Sequence, residues 1–193
     1  MYSKQDFNFT LSAEQTKRSI QKIEYLNSFT GHSNDERRFM FNQKQIVIKP
    51  IGFVKTENAD DGMRDKTRIS QIIVNSELTE ALEGILGFSH LFILCWLHQI
   101  SSQQRQTLKV HPRGRKDMPL LGIFATRTKL RPNPIGLTLV ELVKVEDNIL
   151  TVRGLDAFNG TPILDIKPFD SWDATANAIM PQWWYEMERE KAR

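Results

Sequence analysis

A mainly β fold, built as a single compact barrel with a helical appendage before it and a short helix after it, is what this sequence predicts. Two observations carry the expectation. From Ile46 onward the apolar residues come in short, β-branched runs separated by turn-forming residues, and no long crossover helices separate them. A doubly wound parallel sheet needs such helices, whereas an antiparallel or mixed barrel does not. The 193 residues are 40% hydrophobic and 25% charged, enough apolar material to bury one ordinary core.

Residues 1–44 differ in texture from the rest. Ser12 followed by Gln15 has the form of a capping box, and Ile20, Ile23 and Leu26 recur behind it at helical spacing, which predicts one amphipathic helix. The polar cluster from Thr30 to Asp35 then breaks it. Gln45 to Thr56 is strand-like, with Pro50 marking an edge or a bulge. Ile69 to Val74 is a second strand and Leu78 to Leu86 a brief helical candidate. Phe88 to His98 is too apolar to have a wet face, so a central strand covered on both sides is expected. Leu120 to Thr126, Leu137 to Val145, Ile149 to Gly154 and Pro162 to Ile166 complete the strands, with Glu146-Asp147-Asn148 as a hairpin turn. Residues 45–170 therefore form the barrel domain. Residues 171–193 form a tail in which Trp183, Trp184 and Tyr185 are expected to dock onto the core or a partner.

The greasiest run, Leu91 to Leu97, is seven residues long, well short of the roughly 18 that a membrane helix needs. The N-terminus lacks a charged start followed by an apolar block, so a cytoplasmic protein is expected. One cysteine excludes an internal disulfide framework and a thiolate-rich metal site. Cys95 sits among Leu91–Leu97, where a thiol behaves as a small apolar residue. His32, His90, His98 and His111 show no i, i+4 pair, so no metal site is expected. Glycine-rich phosphate loops and a nucleophile elbow are also missing.

Charge is unevenly placed. The net +3 splits into 12 basic against 12 acidic residues over 1–96, eight against one over 97–131, and six against ten over 132–193. The middle segment is the form an electrostatic footprint for phosphates takes, chance clustering on a solvated face being the alternative. Within it, Arg127 and Arg131 bracket a turn stiffened by Pro132 and Pro134, which would display Asn133 rigidly; guanidinium forks on such a platform suit phosphate or carboxylate. Further on, Asn159-Gly160 supplies a tight turn flanked by Asp156 and Asp165, whose plainer readings are an Asx turn and a strand-end cap.

The strings ATRTKLRPNPIGLT (125–138), GLDAFNGTPILDIKPF (154–169) and GFSHLFILCWLHQ (87–99) together resemble the TrmO (YaeB-like) family of S-adenosylmethionine-dependent tRNA methyltransferases. The resemblance covers about Ile46 to Asp170. It implies a compact, homodimeric β-barrel that binds S-adenosylmethionine and methylates N6 of threonylcarbamoyladenosine at position 37 of tRNA. Carried over by motif, the cofactor contacts fall on His98, Gln99, Arg127, Leu139, Asp156, Ala157, Phe158 and Asn159. The chemistry is compatible: Asp156 can accept from hydroxyls or an ammonium, Arg127 can take a carboxylate, and Leu139 and Phe158 can wall an adenine. His98 as a barrel-end histidine and Leu139 as plain core are the structural alternatives.

Arg131, Asn133 and Pro134 are the residues expected to position the acceptor adenosine, and Lys109, Arg113, Arg115 and Lys116 those expected to meet anticodon-stem phosphates. Family members carry a PRQ-type segment after the first strand. Here Asn58 to Lys66 is short and acidic instead, and Arg68 is offered in its place. The larger members' C-terminal domain has no counterpart. Two other readings stand beside tRNA methylation: methylation of another RNA or a small molecule, and a non-catalytic RNA-binding barrel. Salt dependence separates the first and cofactor affinity the second.

Overall fold

The structure is a computed structural model that describes residues 46–57 and 65–191. The backbone divides at Val47/Ile48 into two units, and the strands all belong to the second. The helix expected behind Ser12 and the acidic segment after Glu57 lie outside the described residues.

Eight strands are formed among the described residues: β1 (Gly52–Lys55), β2 (Ile69–Val74), β3 (His90–Trp96), β4 (Lys109–Val110), β5 (Leu121–Gly122), β6 (Ile135–Glu146), β7 (Ile149–Arg153) and β8 (Pro162–Pro168). Six of them close into an antiparallel barrel in the order β1-β2-β7-β6-β3-β8, while β4 and β5 pair separately as a small hairpin. The expected barrel is thus present, followed by one short helix, α1 (Gln182–Lys191).

Strand alternation explains the core. Val54, Ile72, Leu91, Ile93, Val140, Leu150, Val152 and Ile163 point inward and are fully buried or nearly so. Closure needs local bending, and two register shifts supply it: one in β6 between Leu142 and Lys144, one in β8 where Leu94 and Cys95 face Asp165 and Ile163. At the β6–β7 turn, Asp147 adopts φ 51°, and the Asn148 side chain donates to the Val74 carbonyl. The hairpin is thereby stitched to β2.

Several elements differ from expectation, each for a local reason. The first strand begins only at Gly52, two residues after Pro50, and Ile46 to Ile48 are exposed. Leu78–Leu86 is not one helix but two 3-10 turns, because Gly84 takes φ 81° and ends the first. Leu120–Thr126 keeps only two strand residues. Beyond them Thr126 donates both its N–H and its hydroxyl to the Ile123 carbonyl, and those local bonds compete with strand pairing. The β3 run is covered on its inner side by the core, but its outer side is only half-covered. There Phe92 meets Phe169 edge-on at 5.6 Å, and the Arg105 guanidinium lies over Trp96 at 5.1 Å. In the tail, Trp183 and Trp184 are half-buried and Met187 is buried, so α1 docks by its apolar side.

Candidate functional site

Strand direction decides where the motifs go. β1, β3 and β7 finish at one end of the barrel, where β2, β6 and β8 begin. Three connections therefore start and finish at this upper end: one described at 56–57 and 65–68, then 97–134 and 154–161. Every residue singled out from the sequence as a site candidate lies on one of them, with the exception of Leu139.

Direct bonds join the first and the last, while the middle one is tied to itself. Asn159 Oδ1 accepts the Thr56 N–H at 3.0 Å, and Gly154 donates to the Arg68 carbonyl at 2.8 Å. Val54 donates to Thr161 O, and Gly160 to Val54 O, which pins the 154–161 loop along β1. Leu97 donates to the Pro134 carbonyl at 2.8 Å, setting exposed His98 and Gln99 beside the Pro-Asn-Pro turn. Asp156 and Asn159 are exposed, Phe158 half-buried and Ala157 buried. Cys95, just below, is 1% exposed; burial pushes its thiol up to about 11, and the Asp156 charge adds to that against a bond from the Gly136 N–H. A thiol so disfavoured as an anion is no nucleophile.

The arginines divide by task. Arg127 is exposed and donates Nη2 to the Leu137 carbonyl at 2.7 Å. Arg131 is half-buried and gives Nη1 to the carbonyls of Ile123, Thr126 and Thr128, with its guanidinium 5.6 Å from the Phe124 ring. It clamps the 123–128 turn that presents Arg127. Asn133 is exposed and its own carbonyl accepts the Ile135 N–H, while Pro134 is buried. Leu139 stands apart. It lies in mid-β6 opposite Phe92 on the outer wall, 39% exposed, so it is neither core nor at the upper end. Asp165 also leaves the turn it was expected to flank, pairing with Lys167 on the outside of β8 at 2.8 Å.

The basic segment is less uniformly available than its count suggests. Arg113, at φ 54°, pairs with Glu188 of α1 at 3.3 Å, and Arg115 pairs with Asp117, whose carboxyl it holds below the usual range. Lys109 and Lys116 are exposed and form no ion pair among the described residues. An open concavity of about 340 Å³ is lined by Met180, Gln182, Tyr185, Glu186 and Arg189, all of the tail, and so does not mark the chemistry.

One side chain went underweighted in the sequence. Arg68 is 7% exposed, in phase with the inward residues Ser70, Ile72 and Val74. Its Nη2 donates to the Ala157 carbonyl at 3.2 Å, while Nε, Nη1 and the buried Ser70 hydroxyl have no hydrogen-bond partner among the described residues. The readable signal was a charged residue on the apolar phase of a strand.

The upper end of the closed barrel thus combines a buried guanidinium, an exposed carboxylate and a cationic rim. The chain belongs to the tRNA-methyltransferase O N-terminal domain family, which matches residues 55–173. It is 42% identical over 130 residues to a probable S-adenosyl-L-methionine-binding protein of Methanothermobacter thermautotrophicus, covering 65% of this chain and 90% of that one. It is 36% identical to the tRNA (adenine(37)-N6)-methyltransferase of Escherichia coli, covering 68% of this chain and 54% of that one. Crystal structures of TrmO superpose with TM-scores of 0.59 and, for the Pseudomonas aeruginosa protein, 0.56, at 32% and 30% identity. These cover 71% and 70% of this chain and 64% and 62% of theirs, so the chain spans under two thirds of the TrmO structures.

Proposed function

We propose that this chain is an S-adenosylmethionine-dependent methyltransferase that methylates N6 of the adenosine at position 37 of tRNA, with threonylcarbamoyladenosine as its acceptor. The observation that carries the reading is the strand order, which places three separate motif segments at one barrel end, where the buried Arg68 holds the loop that carries the exposed Asp156. That donor set fits a ligand bearing both an α-carboxylate and an ammonium or hydroxyls. When bound, the cofactor supplies an already activated methyl group on a sulfonium.

The chain's own residues then have to bind, orient and exclude water. His98, Gln99, Asp156, Ala157, Phe158 and Asn159 would hold the cofactor together with Arg127 and Leu139. Asn133, rigid between two prolines, faces the acceptor base; Arg131 holds the turn and Pro134 the backbone beneath it. Lys109, Arg113, Arg115 and Lys116 meet phosphates. No strong general base is required for an in-line displacement from a sulfonium.

The domain reading is an appendage over 1–44, the barrel over 45–170 and a tail over 171–193. A cytoplasmic homodimer belongs to the same reading, and Ile135, Leu137 and Leu139, all 37–47% exposed in a row on β6, are the apolar stripe it offers a second copy. The deciding experiment incubates the protein with tRNA and methyl-labelled S-adenosylmethionine and analyses the nucleosides by mass spectrometry. Label on threonylcarbamoyladenosine is expected; label elsewhere or none refutes the assignment.

A further inference from the structure

An exposed aromatic ring means little by itself; its neighbours decide what it is for. Phe124 is 78% exposed, although it stands between the buried Ile123 and the Arg127 motif in the long connection 97–134. The backbone beneath it is firmly held. The Ile123 N–H donates to the Leu108 carbonyl at 3.0 Å, and the Ile123 carbonyl accepts from Thr126 N–H at 3.1 Å, from the Thr126 hydroxyl at 2.9 Å and from Arg131 Nη1 at 3.4 Å. An anchored turn therefore presents the ring to solvent, and a loose one does not merely leave it there.

One partner is already in place. The Arg131 guanidinium lies over the ring, 5.6 Å from its centroid, while its Nη1 is committed to main-chain carbonyls, among them Thr126 O at 3.0 Å. With most of the residue exposed, the opposite face is open to a second flat group. Leu108, whose carbonyl holds Ile123, is itself 74% exposed and extends the apolar surface.

Charge decides what that group is. Lys109, Arg127 and Lys129 are exposed around this turn and form no ion pair among the described residues. Asp117, the one acidic residue of 97–131, is taken by Arg115. A symmetric contact between two copies would set this cationic surface against itself, and like charges brought together oppose it. An anionic chain that carries flat rings is complementary to it. Bases stack on aromatic side chains and on guanidinium planes whatever their identity, and the flanking phosphates take the cations. A duplex keeps its bases stacked on one another, so the occupant is an unpaired base.

We propose that Phe124, backed by Arg131, is the stacking platform for an unpaired base of the RNA. The inference rests on the tRNA reading for the identity of that RNA: the acceptor base lies at Asn133, and a neighbouring base of the anticodon loop lies on the ring. Phe124 is then a residue that orients the loop, through a contact that carries no charge.

An anticodon stem–loop RNA with 2-aminopurine placed at one loop position at a time tests it, because stacking quenches the fluorescence of that base. The wild-type protein should quench it at a position beside the acceptor. Phe124→Ala should abolish the quenching and weaken RNA binding about 5- to 150-fold, the range for one stacked base, with the salt slope unchanged because no phosphate contact is lost. Phe124→Tyr should keep both the quenching and the affinity. Quenching retained in Phe124→Ala, or an equal loss of affinity in both variants, overturns the platform. So does a fall of about one in the salt slope of Phe124→Ala, which assigns the loss to a phosphate contact. A Phe124→Ala protein that sediments at half the wild-type mass gives the ring to an interface between copies and overturns the platform as well. The functional reading fails separately: an RNA that is bound and quenched but never methylated removes methylation and leaves the platform standing, whereas a wild-type protein that binds no RNA removes both.

Discussion

The two ends of the barrel are built from the same strands yet differ in almost every other respect. At the lower end β6 and β7 are joined by Asp147-Asn148 alone, Asn148 is bonded in both directions to Val74, and Asn75 donates to Ile51. Backbone packs on backbone there: a Cβ on Gly52 would stand 2.3 Å from the Ile73 carbonyl oxygen. At the upper end lie the long connection 97–134 and the loop 154–161, the latter held to the buried Arg68. Satisfied main-chain bonds close the lower end, while the upper end carries the proposed site. Stability and chemistry are therefore assigned to opposite ends.

The sharpest way to break that division is to strike the closure. Gly52→Ala should destabilise the barrel by about 3 kcal/mol or more, since backbone cannot move aside, and denaturant unfolding would measure it. Gly136→Ala, near the upper end, meets the Cys95 Sγ at 2.7 Å and a Leu97 methyl at 3.1 Å, side-chain atoms that can shift, so it should cost less. If the two cost the same, the distinction between the ends fails.

Changes confined to the upper end should do the reverse. Arg127→Ala and Asn133→Ala should lower methylation of tRNA by about 10- to 100-fold with the unfolding midpoint within a few degrees of wild type. Normal methylation by both variants would remove them from the site.

Cys95 links the two properties. Its thiol is held near 11 against an ordinary value near 9. Below pH 9 it is protonated folded or unfolded; between 9 and 11 the unfolded chain loses the proton first, so stability should fall as pH rises through that window. The loss attributable to Cys95 should reach about 2–3 kcal/mol near pH 11 and be missing from Cys95→Ala, by denaturant titration of both proteins.

Smaller effects belong to the rim. Lys116→Ala should reduce the salt slope of tRNA binding by about 0.7–0.9, one phosphate contact, without affecting cofactor affinity. Breaking the half-exposed Arg113–Glu188 pair through Glu188→Gln should cost at most about 1 kcal/mol.

How much of this was legible in the chain depends on the range of the interactions involved. The paired strands β2, β6, β7 and β8 are recognisable because β-branched alternation and the Glu146–Asn148 turn are local signals. The two-residue β4 is not, since Lys109–Val110 becomes a strand only by meeting Leu121–Gly122. Leu78–Leu86 misled because helical spacing of apolar residues says nothing of the left-handed Gly84. At the site, Arg127 and Asn133 announced themselves through the proline-stiffened motif. Arg68 did so only through its phase with the inward residues of β2, and Ser70 not at all, because an unpartnered hydroxyl is defined by what fails to surround it.

By itself, then, the sequence determined the fold class, the family and the short motifs, all of which are written in contiguous residues and in hydropathy of period two. Barrel closure, the gathering of three distant connections at one end and the burial of Arg68 against Ala157 were decided only in three dimensions. Each depends on pairings between segments tens of residues apart, and the register of those pairings is set by the two bulges and by collective packing.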